Sequence, residues 1–172
     1  LEFYARVGGE VDFRNGSIHS VLFNTIRLLG SPAAAAPVAS LVAKLASVGA
    51  LAWLILRVLA RERERRAGRA PDDASFLADT ADCLALALLV SPSAWEHHFL
   101  FALPLVLVAV ASRGAERPGA VAFGAFLTLG MPTFDLFPFG YHRLAGLLLL
   151  LWISPAVPAG ARKAVAAPRG LS

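Results

Sequence analysis

The sequence predicts an all-α fold: a multi-spanning transmembrane helical bundle of about five spans, preceded by an amphipathic interfacial helix. Three observations predict it. Charged residues make up 16% of the 172 and apolar ones 57%, against roughly 25% charged in a soluble domain. The apolar residues fall in runs close to the roughly 20 residues that a bilayer-crossing helix needs. The basic residues gather between those runs in short blocks. A pI near 10 would suit a nucleic-acid binder, but no nucleic-acid motif accompanies it, and nucleic acid is excluded as a partner. The single cysteine, Cys83, lies in an apolar run and supports no disulfide framework.

Residues 1–16 are polar and carry no usable period. With no initiator methionine and no signal peptide in view, the sequence reads as the C-terminal part of a longer chain. From Ser17 to Leu29 a helical pattern appears. Ile18, Val21, Leu22, Leu28 and Leu29 share one face, and Ser20, Asn24 and Arg27 another. Ser17 is placed to cap the start, and Gly30-Ser31-Pro32 stops the helix. This helix is too short to span, so it is expected to lie at the membrane surface, in an extracytoplasmic segment 1–36.

The transmembrane region, 37–158, is read as five spans: Pro37–Leu59, Phe76–Pro92, Trp95–Ala111, Gly119–Phe137 and Tyr141–Pro158. Lys44 sits near the start of the first and can snorkel. Residues 159–172 form a basic tail. Loop 57–70 holds six basic residues, loop 112–118 two and the tail three, so eleven of the sixteen mark one side. By the positive-inside rule that side is cytoplasmic. Arg61–Arg69 is read as a solvated topology determinant. Asp79 and Asp82, three apart, share a helix face where acids near a helix N-terminus are favourable in any case. Arginine outnumbers lysine 14 to 2, a usage associated with GC-rich bacterial genomes, so the expected location is a bacterial plasma membrane.

Three polar features then converge on the extracytoplasmic side. The first is Ser91-Pro92-Ser93-Ala94-Trp95-Glu96-His97-His98. Ser93 to Glu96 matches a capping box, Ser91-Pro92 a cap followed by first-turn proline, and Trp95 an interfacial anchor. The adjacent imidazoles point about 100° apart on a helix, so one can face inward. A neutral imidazole can orient a hydroxyl or take its proton, and a charged one can bind phosphate. The divergence of the pair, and the lack of a third ligand, argue against metal; no cofactor is expected. The second feature is the aromatic turn Phe134–Arg143, an interfacial belt in which His142 and Arg143 offer anion contacts. The third is the amphipathic helix. Asn15-Gly16-Ser17 also matches a glycosylation sequon, a weak signal in a bacterial chain.

The run Leu88-Leu89-Val90-Ser91-Pro92-Ser93-Ala94-Trp95-Glu96-His97-His98-Phe99 resembles the S-P-x-S-W-x-H-H element of glycosyltransferase family 87. That family comprises bacterial multi-spanning (GT-C) mannosyltransferases that use polyprenyl-phosphate mannose. Asn15-Gly16-Ser17-Ile18, with Asn24-Thr25-Ile26-Arg27-Leu28-Leu29-Gly30 after it, resembles the family's N-Q-S-L element and following R-L-L-G. The resemblance covers about Phe13–Ala111. Gly16 stands where the family commonly has Gln, and Ala94 where it commonly has Ser. The resemblance implies transfer of a sugar from a polyprenyl-phosphate donor to a lipid or glycan acceptor at the outer face. It implies catalytic roles for His97 and His98. Asn15, Ser17, Arg27, Trp95, Glu96 and Arg143 would contact substrate, and a general-base aspartate would lie upstream, in a missing N-terminal part of the same protein. Two rivals stand beside it: a transporter or flippase segment, with His97, His98 and Glu96 relaying protons, and a truncated, non-catalytic membrane protein. A relay calls for ionisable groups deep in several spans, whereas here the middles of the runs are apolar.

Overall fold

A computed structural model describes residues 16–29, 32–68, 72–91, 94–134 and 136–155. Asn15, Pro92, Ser93, Asp135, Arg69 and the tail 159–172 lie outside the described residues, as do the sequon's first position and residues 1–15. Among the described residues the structure is all helical, with no strand. Six α-helices make the body: α1 (Ile18–Leu29), α2 (Pro32–Arg66), α3 (Asp72–Val90), α4 (Leu103–Arg113), α5 (Pro118–Ala125) and α6 (His142–Ile153). A 3₁₀ segment, Glu96–Ala102, runs into α4; a π turn, Phe126–Gly130, ends α5; and a 3₁₀ turn, Phe139–Tyr141, opens α6.

Among the described residues two stretches are long and apolar enough to cross a membrane, Pro37–Arg66 and Glu96–Arg113. The expected five spans are therefore not found. The second run fails because α3 starts earlier than expected and carries Asp72, Asp73, Asp79 and Asp82 in its 19 residues. The fourth and fifth are apolar but short, as Pro118–Gly130 and Phe139–Ile153. Gly130 and Pro132 break the fourth, since glycine is a poor helix former and proline lacks the donor to continue.

The first span runs past Leu59, where a loop was expected, to Arg66. Arg61 to Arg66 are good helix formers. Glu62 pairs with Arg65 and Arg66 at i+3 and i+4, at 2.9 and 2.8 Å. Gly68, at φ 66°, takes the left-handed conformation that closes such a helix without a Cβ clash.

The core is built from Leu88, Leu89, Phe99, Leu105, Leu147 and Leu150 with small alanines between. α6 comes close to α5 and the π turn that ends it. A Cβ on Gly146 would lie 2.4 Å from Thr128 Oγ1 and 2.7 Å from the Gly124 carbonyl. Small residues of this kind let helix backbones approach. Gly146→Ala is therefore expected to cost about 1–3 kcal/mol through forced separation of the two helices. Denaturant titration in detergent micelles checks it, and an unchanged midpoint would show that the contact yields without cost.

Two polar layers bound this core. At one end, Arg57 and Arg61 of α2 meet Asp79 and Asp82 of α3 and the Ser154 and Pro155 carbonyls after α6. Arg61 is fully buried, Asp82 1% exposed and Arg57 7%. The reading of Arg61 as solvated is thus corrected. Its partners come from another helix, where the local pattern of charges does not reveal them. At the other end lie α1, Trp95–His98 and the aromatic turn. Along α2, Lys44 and Arg61 are separated by about 25 Å at helical rise.

Candidate functional site

The histidine end is assembled from α1 upward. Ser17 caps α1: its Oγ accepts from the Ser20 N–H at 3.1 Å. The polar stripe read from the sequence is present, but Ser20 and Asn24 turn inward and are buried, while Leu28 and Leu29 are 59% and 83% exposed. Asn24 Nδ2 donates to Tyr141 Oη at 2.8 Å, and Tyr141 Oη donates to the Ser20 carbonyl at 3.3 Å. The Ser20 hydroxyl lies 3.2 Å from the same phenol oxygen. One phenol of the aromatic turn thus fastens α1 by its polar face. Arg27, beyond this contact, is exposed.

The segment before α1 joins the histidine element directly. The Gly16 N–H donates to the Ala94 carbonyl at 2.8 Å. A Cβ on Gly16 would meet the Phe99 ring at 3.0 Å. Gly16 and Ala94 are the two positions that depart from the family-87 pattern, and they touch each other. The absent side chain at 16 is what admits the Phe99 ring.

Trp95 is extended, at φ −77° and ψ 162°, and opens the 3₁₀ segment as its N-cap. His98 caps it: Nδ1 accepts from the Trp95 N–H at 3.1 Å, which leaves the ring proton of a neutral imidazole on Nε2. His98 and Trp95 are half-buried, whereas His97 is exposed. The two rings meet edge to face, with centroids 4.2 Å apart. The cap observed here is thus Trp95 with His98. Glu96, exposed, accepts a hydrogen bond from Thr133 Oγ1.

Arg143 is placed differently from the anion contact expected of it. Its Nη1 donates to the Thr128 carbonyl at 2.9 Å and its Nη2 to the Met131 carbonyl at 3.0 Å. Thr133 Oγ1 lies 3.5 Å from Nη2. The guanidinium thereby satisfies the carbonyls freed where the π turn ends. His142 is buried, with ring nitrogens 2.7 Å from the Phe139 carbonyl and 3.4 Å from that of Met131.

The structure thus brings together Ser17, Trp95, Glu96, His97, His98 and Arg143, and leaves Arg27 on the surface. It adds Asn24, Tyr141 and Thr133. The spacing of Ser20 and Asn24 signalled a polar face in the sequence, but Thr133 gave no signal, because both its partners are distant in the chain. Among the described residues no three His, Cys, Asp or Glu side chains gather as a metal site would require. Chemically, the end presents one exposed imidazole, one imidazole with a fixed Nε2–H donor, and an exposed carboxylate.

Comparison with protein families, with characterised proteins and with solved structures finds no match to this chain.

Proposed function

We propose that this chain forms the extracytoplasmic corner of a multi-spanning membrane glycosyltransferase of the family-87 kind. It would transfer a hexose, mannose by the resemblance, from a polyprenyl-phosphate donor to a lipid or glycan acceptor at the outer face of a bacterial plasma membrane. The observation that carries the reading is the convergence of three segments, distant in sequence, on one end of the bundle. They are α1 with its Gly16–Ser17 lead, the Trp95–His98 element and the aromatic turn. The buried arginine layer lies at the opposite end.

In this reaction the acceptor hydroxyl oxygen attacks the anomeric carbon. The bond from that carbon to the phosphate oxygen breaks, and the lipid phosphate leaves with the electron pair. The hydroxyl proton passes to a base. His97, exposed at this end of the bundle, orients that hydroxyl or takes its proton. His98, with Nδ1 held by the Trp95 amide, offers Nε2–H to a substrate oxygen that gains charge. No step requires a cofactor.

The transporter reading draws on one observation, the buried Arg57–Asp82–Arg61 ion pairs. Leu88, Leu105, Leu147 and Leu150 fill the core between the two polar layers. A proton relay needs ionisable groups continuing through that layer, and this arrangement favours the transferase.

The test is sugar transfer by membranes containing the full-length protein, supplied with radiolabelled polyprenyl-phosphate mannose. His97→Ala is expected to lower transfer by about 10²-fold or more at unchanged protein level. His98→Asn keeps an oxygen to accept from the Trp95 amide but removes Nε2–H, so its loss of transfer reports chemistry and not the cap. Full transfer in both single variants and in the double variant rejects the proposal.

A further inference from the structure

A cleft of about 490 Å³ opens between the start of α1, the first half of α2 and the last turn of α3. Its polar lining is His19, Ser40, Lys44, Ser47 and Ser91, and its other walls are aliphatic. We propose that this cleft binds the phosphate of an anionic membrane lipid, with Lys44 as its counter-charge. The proposal holds whether or not the chain transfers sugar.

Lys44 lies inside the apolar stretch of α2, one of the two long enough to span. A cation at such a position is costly and normally finds an anion or the membrane–water boundary. Ser40 and Ser47, at i−4 and i+3, stand on the same face of the helix as Lys44. Arg57 and Arg61, further along the same helix, are each paired with aspartate. Among the described residues no carboxylate lies within ion-pair distance of Lys44, and none lines the cleft. His19 adds a ring that carries charge when protonated. Ser47 donates its hydroxyl to the Ala43 carbonyl at 2.8 Å, so its proton is not offered to a ligand, while Ser40 lines the cleft beside Lys44. The cleft is therefore cationic and free of acid, which is the chemistry a phosphate calls for.

The neighbouring surface names the rest of the ligand. Leu41, Leu45 and Val48 are 60%, 63% and 66% exposed, and Val48 also lines the cleft. An acyl or prenyl tail attached to the bound phosphate would lie along them, whereas free phosphate would leave them bare. Ser91 ties the cleft to the end that carries Trp95, an indole of the kind found at headgroup depth.

The test uses the full-length protein in detergent, equilibrated with vesicles of phosphatidylcholine alone or doped with phosphatidylglycerol, and counts retained lipid by native mass spectrometry. Wild type is expected to retain phosphatidylglycerol over phosphatidylcholine, with Lys44→Gln weakening that retention about fivefold, as the loss of one interfacial cation implies. Lys44→Arg is expected to keep it. Arg63→Gln, which removes an exposed cation near the opposite end of α2, is expected to leave it unchanged. Unaltered thermal unfolding of Lys44→Gln in phosphatidylcholine shows that the fold is intact. Equal loss in Arg63→Gln and Lys44→Gln would mean diffuse charge attraction and overturns the site. Equal retention in wild type and Lys44→Gln also overturns it, as does displacement of the lipid by inorganic phosphate at the same concentration.

Discussion

Asp82→Ala is expected to destabilise the protein by about 3–5 kcal/mol, the usual cost of removing one partner from a buried ion pair. The substitution leaves two guanidinium groups facing each other in the interior. Arg57 loses acceptors at 2.7 and 3.3 Å, and Arg61 one at 2.8 Å. Arg57 keeps the Ser154 and Pro155 carbonyls and a stacking contact with Trp53, 4.6 Å from its centroid. Arg61, fully buried, keeps only Asp79 among these named partners. Asp79→Ala is expected to cost less, because Asp79 is 23% exposed and water can replace part of its contact. Replacing Arg57, Arg61 and Asp82 together by apolar residues of similar size is expected to restore most of the loss. Denaturant titration in micelles measures all three. An Asp82→Ala variant within about 1 kcal/mol of wild type, the range of an exposed pair, would mean that water reaches this layer.

That layer also shows what a linear reading could and could not reach. The i, i+3 spacing of Asp79 and Asp82 placed them on one face of a helix. The pairs from Glu62 to Arg65 and Arg66 are local and follow from spacing. What occupies the face of Asp79 and Asp82 depends on how α2 and α3 pack, and charge patterning does not contain that. Spacing alone therefore reads these arginines as solvated and ends the helix where the charges begin. A similar boundary holds for α1. Its cap and its two faces were visible in Ser17, Ser20 and Asn24, but periodicity distinguishes faces without saying which medium each meets. The polar face turned to Tyr141 and the protein, Ile18 and Val21 of the apolar face packed against the core as well, and Leu28 and Leu29 at its far end lie exposed. α1, the Trp95–His98 element and the aromatic turn do meet, although the five spans from which their common side was read are not found among the described residues. The number of full spans was not legible, because a run of apolar residues counts alike whether it continues as one long helix or breaks at Gly130 and Pro132.

Arg143 offers the sharpest test of the candidate site, because two readings of it diverge in the same experiment. As a phosphate ligand, its loss would raise the donor KM and leave the fold unchanged. Lysine would largely replace it, since an ammonium also serves as a point charge for phosphate. As placed here, the guanidinium spans two carbonyls, of Thr128 and Met131, from one planar fork. An ammonium cannot reproduce that fork. Arg143→Ala is then expected to cost about 2–4 kcal/mol, given roughly 1.5–3 kcal/mol for a hydrogen bond to a charged group and partial replacement by water at this half-buried position. Arg143→Lys should recover less than half of it. The effect reaches the histidine end through Thr133, which lies beside Arg143 and donates to Glu96. On the proposed transferase reading, transfer should therefore fall in both Arg143→Ala and Arg143→Lys in step with their loss of stability. Unfolding midpoints for the two variants, measured alongside donor titrations, separate the readings. A rise in KM confined to Arg143→Ala, with wild-type stability in both, would return the guanidinium to the phosphate.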